Sequence, residues 1–320
     1  MSSIPGRAST STHSLAGTDL LSIQDLEKQD ILLILEQAAR VQGDDLAGAG
    51  SALLAGRVLA PLFYDPAPWL RSSFESAMLR LGGQVLSMAG FADARRAQNG
   101  YDLARTAEIA SAYADVIVHR HPEVYSAHEA AKGARVPLIN AGDGTYERPA
   151  QALVDLYTIH EEKGAIDGLT IAIVGNLRHS AVVHSLARAL AHWDVTLYLV
   201  SPASLKMSGL LAVALRRAVT VIETEDLDSA MEVSDVLYVA PEEDTRFAHK
   251  AAAERLEEGY RVDRQRLQRV GSDLTLMQPL PSGGGIASDV DSPPGVDCYR
   301  RAANGVWVRM ALLALLLGAL

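Results

Sequence analysis

Residues 62–83, LFYDPAPWLRSSFESAMLRLGG, carry the residue types and order of an anion site. The apolar run 59–64 reads as a buried strand. Pro66 and Pro68 break it, and Ser72 or Ser73 can cap a helix whose apolar face is Phe74, Met78, Leu79 and Leu81. Gly82-Gly83 ends that helix. A strand, a loop and a helix N-terminus in this order aim backbone N–H groups at one point, which is anion-binding chemistry. Arg71 lies beside that point and either contacts the anion or bonds strand-end carbonyls. Arg120 ends a second apolar run, ADVIVHRHP at 114–122. Arg148 precedes Pro149, a residue suited to the first turn of a helix, and there it either binds an anion or pairs with an acid such as Glu147. Arg178 and His179 follow a third run, where they read an acidic ligand or form a solvated loop. His119 and His121 flank Arg120, but a metal site needs a third ligand, and none is evident, so no metal is expected. There is no Ser-His-Asp order or nucleophile elbow. The GGG at 283–285 lacks the helix of a nucleotide fingerprint, so no cofactor is expected.

These groups need elements to hold them, and the pattern supplies two successive runs of strands and helices. A first amphipathic helix spans 22–41, with Ser22 and Asp25 as cap candidates. Strands at 58–64, 84–89, 116–119 and 136–140 alternate with helices at 73–81, 103–113 and 126–132. A long helix over 149–162 follows. The alternation restarts with strands at 169–174, 195–200, 219–223, 236–239 and 274–277, separated by helices at 182–192, 204–217, 226–233 and 247–257. Strand–helix alternation implies parallel sheets, so the fold class is α/β: two domains, each a parallel β-sheet flanked by helices. In such sheets ligands sit beyond the carboxyl ends of strands. The domain reading is a loose arm at 1–19, a first domain at 20–148, a second at 149–302, and a C-terminal helix at 303–320 packing back on the first.

Composition bounds the partners. The chain has 320 residues, enough for two cores, and carries 29 basic against 39 acidic residues, a net charge of −10. That balance argues against nucleic acid as a partner, since phosphate backbones want a basic face. The single cysteine, Cys298, allows no intrachain disulfide and reads as packed rather than nucleophilic; a cytoplasmic setting is expected. The apolar run 310–320 is too short to span a bilayer and reads as a buried helix, so no membrane is expected.

Six islands in order carry a resemblance: residues 62–83, 114–122, LINAGDGTYERPAQALVDLYTI at 138–159, IAIVGNLRHSAVVHSLARAL at 171–190, MQPLP at 277–281 and ANGVWVRMALLALLLG at 303–318. The chain resembles the aspartate/ornithine carbamoyltransferase family, its aspartate branch more than its ornithine branch, over about 20–318. The resemblance implies a homotrimer with active sites between subunits, a carbamoyl-phosphate domain first and an amino-acid domain second. Its motifs are degenerate here. The family's Ser-Thr-Arg-Thr-Arg phosphate loop is Ala67, Pro68, Trp69, Leu70 and Arg71. Trp69 then plugs the old site, stacks on a new ligand or contacts a subunit. In the loop that enters from a neighbouring subunit, Asn99 stands at the Lys place. Arg148 replaces the His that polarises the carbamoyl carbonyl. Ala181 replaces one carboxylate-binding Arg, and Pro241, followed by Glu242 and Glu243, replaces the other. Gln278 replaces a His.

The candidate ligand contacts are therefore Arg71, Arg120, Arg148, Gln151, Trp69 and the carbonyls of Pro279 and Leu280, while catalytic residues are unknown. The expected function is an aspartate-branch pseudoenzyme with a structural or regulatory role, with an active paralogue or another pyrimidine-pathway enzyme as candidate partner. One alternative is a repurposed enzyme acting on a carbamoyl- or amide-bearing ligand with a different co-substrate. The other is an active transferase with divergent residues.

Overall fold

The computed structural model describes residues 14–43, 51–86, 102–240, 259–270, 273–279, 285–287, 289–290 and 298–320, the last stretch with side chains from 302. After a 3-10 turn at Ile23–Asp25, the elements are α1 (Lys28–Gly43), β1 (Val58–Phe63), α2 (Pro68–Arg80), β2 (Gln84–Val85), α3 (Leu103–Ala110), β3 (Val116–His121), α4 (Ser126–Ala131), β4 (Leu138–Asp143) and α5 (Pro149–Lys163). The second run is β5 (Thr170–Val174), α6 (Ala181–Leu190), β6 (Thr196–Val200), a 3-10 turn at Ala203–Leu205, α7 (Gly209–Leu215), β7 (Thr220–Thr224), α8 (Leu227–Val233) and β8 (Val236–Val239). Then come α9 (Arg264–Leu267), β9 (Thr275–Met277) and α10 (Cys298–Leu316).

Two all-parallel sheets result, as expected. The first has the order β2-β1-β3-β4 and the second β7-β6-β5-β8-β9. Each order reverses once, between β1 and β3 and between β5 and β8, and the carboxyl ends of such strand pairs are where parallel sheets form ligand crevices. Tyr64 and Arg120 lie at one crevice, where the Tyr64 N–H donates to the Arg120 carbonyl. At the other, Gly175 with φ +123° passes so close to Ala240 that an added Cβ would sit 3.2 Å from the Ala240 Cβ.

The core explains the C-terminal run. In α10, Val308 and residues 310–316 are buried, and the helix packs against α1, α2 and α5. It begins at Cys298, five residues before the expected start. No helix among the described residues is long and apolar enough to cross a membrane.

Three helix readings are corrected. The first helix divides, because Ser22 and Asp25 form a capping box on a 3-10 turn and Leu26 is extended (φ −104°, ψ 132°), so α1 starts only at Lys28. The expected helix over 204–217 also divides, because Ser208 with ψ 138° caps α7 through the Leu211 N–H. The third correction concerns the site: α2 starts at Pro68 rather than at Ser73. Proline suits the first helical position, where its missing N–H goes unused. The expected helix over 247–257 lies outside the described residues.

Candidate functional site

The first crevice is built on the turn before α2. Ala67 is the N-cap (φ −147°, ψ 67°) and makes no side-chain cap bond. Pro68 has no N–H to offer. Neither expected cap serves: Ser73 lies inside the helix, and its Oγ donates to the Leu70 carbonyl at 2.7 Å. Trp69 is 69% exposed, so in this chain it does not plug the crevice. Arg71 turns to its own helix rather than to a strand-end carbonyl; its Nε is 2.7 Å from Glu75 Oε1, one turn along α2. Residues 67–71 thus carry no hydroxyl, and their one guanidinium is bonded through Nε to Glu75.

Arg120 is held at the end of β3. Its Nη2 donates to Asp65 Oδ2 at 3.1 Å and its Nη1 to the Ala141 carbonyl at 3.3 Å. Its Nε lies 2.7 Å from Asp65 Oδ1, an ion pair without hydrogen-bond alignment. Asp65 lies two residues beyond β1, so the ends of the two strands at the sheet's reversal supply both partners. Arg148 comes to the same place. Gly142 has φ +135°, and a Cβ there would fall 2.8 Å from Arg120 Nη1 and 3.3 Å from Arg148 Nε. The two guanidiniums therefore close over a spot that only glycine fits.

Gln151, one turn into α5, has its amide engaged inside the protein. Nε2 donates to Asp155 Oδ1 at 3.0 Å, and Oε1 accepts from Arg309 Nη2 at 3.3 Å. Asp155 Oδ2 accepts from the Tyr238 hydroxyl on β8 at 2.8 Å. Arg309 also donates to the Gly305 carbonyl and lies 5.0 Å from the centre of the Phe74 ring. Burial lowers its pKa to about 10.

Glu147 does not pair with Arg148 on the surface. It is fully buried and accepts from Ser22 Oγ, the Ile23 N–H, Ser185 Oγ and Arg188 Nη1. Asp143, also fully buried, accepts from Asn140 Nδ2 and from the Glu147 N–H. Its other oxygen has no hydrogen-bond partner, and burial raises its pKa to about 6. His119 is held down at about 3, by burial first and the neighbouring His121 second. His119, His121 and Tyr64 form a ring cluster with centroids 4.8–5.9 Å apart. No group of three metal-ligating side chains exists among the described residues.

In the second crevice, Ala181 is fully buried at the start of α6. The His184 ring bonds the Leu177 carbonyl at 2.9 Å. Arg178 and His179 are exposed loop residues. Gln278 and Pro279 are buried beyond β9. Asn99, Pro241 with Glu242 and Glu243, and Leu280 lie outside the described residues. The structure thus brings Arg120 and Arg148 together and places Gln151 and Arg71 in other bonds. Reading the sequence for motifs missed Asp65, Asp155, Tyr238 and Arg309, and offered Glu147 only as a surface partner for Arg148. The signal for two of them was a charge inside an apolar run, Asp155 in ALVDLYTI and Arg309 in VWVRMALL.

Residues 18–161 match the family description "Aspartate/ornithine carbamoyltransferase, carbamoyl-P binding domain", and residues 167–316 match "Aspartate/ornithine carbamoyltransferase, Asp/Orn binding domain". The chain is 43% identical to the aspartate carbamoyltransferase catalytic subunit of Thermococcus kodakarensis, over 95% of this chain and 98% of that protein. It is 39% identical to the catalytic subunit from Picrophilus torridus, over 95% and 99%. Among solved structures, aspartate transcarbamoylase from Trypanosoma cruzi in complex with N-(phosphonacetyl)-L-aspartic acid superposes with a TM-score of 0.88 at 34% identity, covering 95% of this chain and 97% of that one.

Proposed function

We propose, from the premise that this chain belongs to the aspartate/ornithine carbamoyltransferase family, that it is an aspartate-carbamoyltransferase-like protein without the ordinary transferase activity, serving a structural or regulatory role. The observation that carries this reading is the turn at 67–71. Its cap has no side-chain bond, its first helical residue is Pro68, and its remaining arginine is paired with Glu75. Transfer from a phosphorylated donor depends on preorganised donors where charge develops, and removing one costs about 10²–10³ in rate. Here several are absent together. The same reading includes a homotrimer, a cytoplasmic setting, a functional boundary at 148/149, and an active pyrimidine-pathway protein as candidate partner.

A second reading, ordinary transfer by divergent residues, is favoured by the relatives' names, which are those of catalytic subunits. An initial-rate assay with carbamoyl phosphate and aspartate separates the two. The first reading expects no carbamoyl aspartate above the uncatalysed background. Turnover at about 1 s⁻¹ or faster, within the ordinary enzyme range, would sink it.

A further inference from the structure

The carboxylate of Glu147 is shared between the two halves of the fold. Its donors on one side are Ser22 Oγ at 3.2 Å and the Ile23 N–H at 3.4 Å. That segment is tied to the first sheet, because the Leu20 N–H donates to the Leu138 carbonyl and the Asn140 N–H to the Leu20 carbonyl. On the other side the donors are Ser185 Oγ at 2.6 Å and Arg188 Nη1 at 2.8 Å, both on α6. The next backbone amide, Arg148 N–H, donates to the same Ser185 Oγ at 2.9 Å.

We propose that Glu147 is an ionic clamp that holds the two lobes at one angle, so that the carboxyl ends of their sheets keep a fixed separation. A change of lobe angle must pull the N-terminal segment away from α6. One side or the other then withdraws its donors from a fully buried carboxylate. A buried charge stripped of its partners is strongly unfavourable in a low-dielectric interior. A clamp of this kind rests on the fold and not on the transferase reading, because it involves no ligand.

The test uses the full chain with Cys298→Ser and spin labels at two exposed positions, Ser72→Cys on α2 and Leu210→Cys on α7, diluted into excess unlabelled chain so that any oligomer carries at most one labelled copy, and read by pulsed electron resonance without ligand. One narrow distance is expected. In Glu147→Gln a second distance appears or the distribution broadens, and amide exchange in α6 rises at least about tenfold, as expected for a local opening. Arg188→Met tests the same ion pair from an arginine that is one-fifth exposed, so the proposal stands open to refutation even if Glu147→Gln does not fold. A broad or double distance in the otherwise unaltered chain overturns it. So does a folded Arg188→Met or Glu147→Gln protein with an unchanged distribution and unchanged exchange.

Discussion

Helices α2 and α5 start in nearly the same way. Each has proline in its first turn, each N-cap makes no side-chain cap bond, and the cap torsions are close: −147° and 67° at Ala67, −139° and 67° at Arg148. Their surroundings differ. Around the start of α2, Trp69 is exposed and Arg71 turns back to its own helix. Around the start of α5, Glu147, Asp143 and Asn140 are buried, and Glu147 takes four donors from two distant parts of the chain, the N-terminal segment and α6. Similar backbone geometry at the two helix starts thus carries different neighbours: no side-chain cap bond and an exposed Trp69 at one, a buried polar network at the other.

Substitutions sharpen this contrast. The largest effect is expected at Glu147→Ala, which leaves Arg188 without its carboxylate. Breaking one half of such a pair destabilises by about 3–5 kcal/mol, to be read from the urea midpoint. Next is Asp143. Burial raises its pKa from 3.8 to about 6, so the folded chain holds the proton more tightly than the unfolded chain does. The stabilisation from that proton is complete below pH 3.8 and is lost as pH rises through about 6. Two pH units correspond to about 2–3 kcal/mol. Asp143→Asn should flatten the stability–pH curve across that window, and an unchanged slope would show that Asp143 does not titrate there. Gly142→Ala should cost about 1–2 kcal/mol through its positive φ and its crowding of Arg120, visible as a lower melting temperature. Trp69→Ala should shift stability by no more than about 0.5 kcal/mol. A large loss in the isolated chain would mean that the start of α2 is packed after all.

Much of the fold was legible in the sequence, because strand runs such as 170–174 and 236–239 are short, apolar and separated by helices of regular period. Helix starts were less legible. Ser72 and Ser73 looked like caps, yet Pro68 occupies the first turn at no cost in hydrogen bonds. The degenerate motif at 67–71 could be read by residue type alone. What it became could not, since the pairing of Arg71 with Glu75 competes with other partners that only tertiary structure decides. Glu147 shows the limit most clearly. Nothing in TYERP marks a buried acid, because its donors lie about 38–125 residues away in the chain.

The central contrast holds that the start of α2 no longer offers a phosphate site. Calorimetric titration of the intact chain with carbamoyl phosphate tests this most directly. The account predicts no binding heat up to about 1 mM ligand, whereas a dissociation constant below about 100 μM, or some 5 kcal/mol of binding free energy, would contradict it.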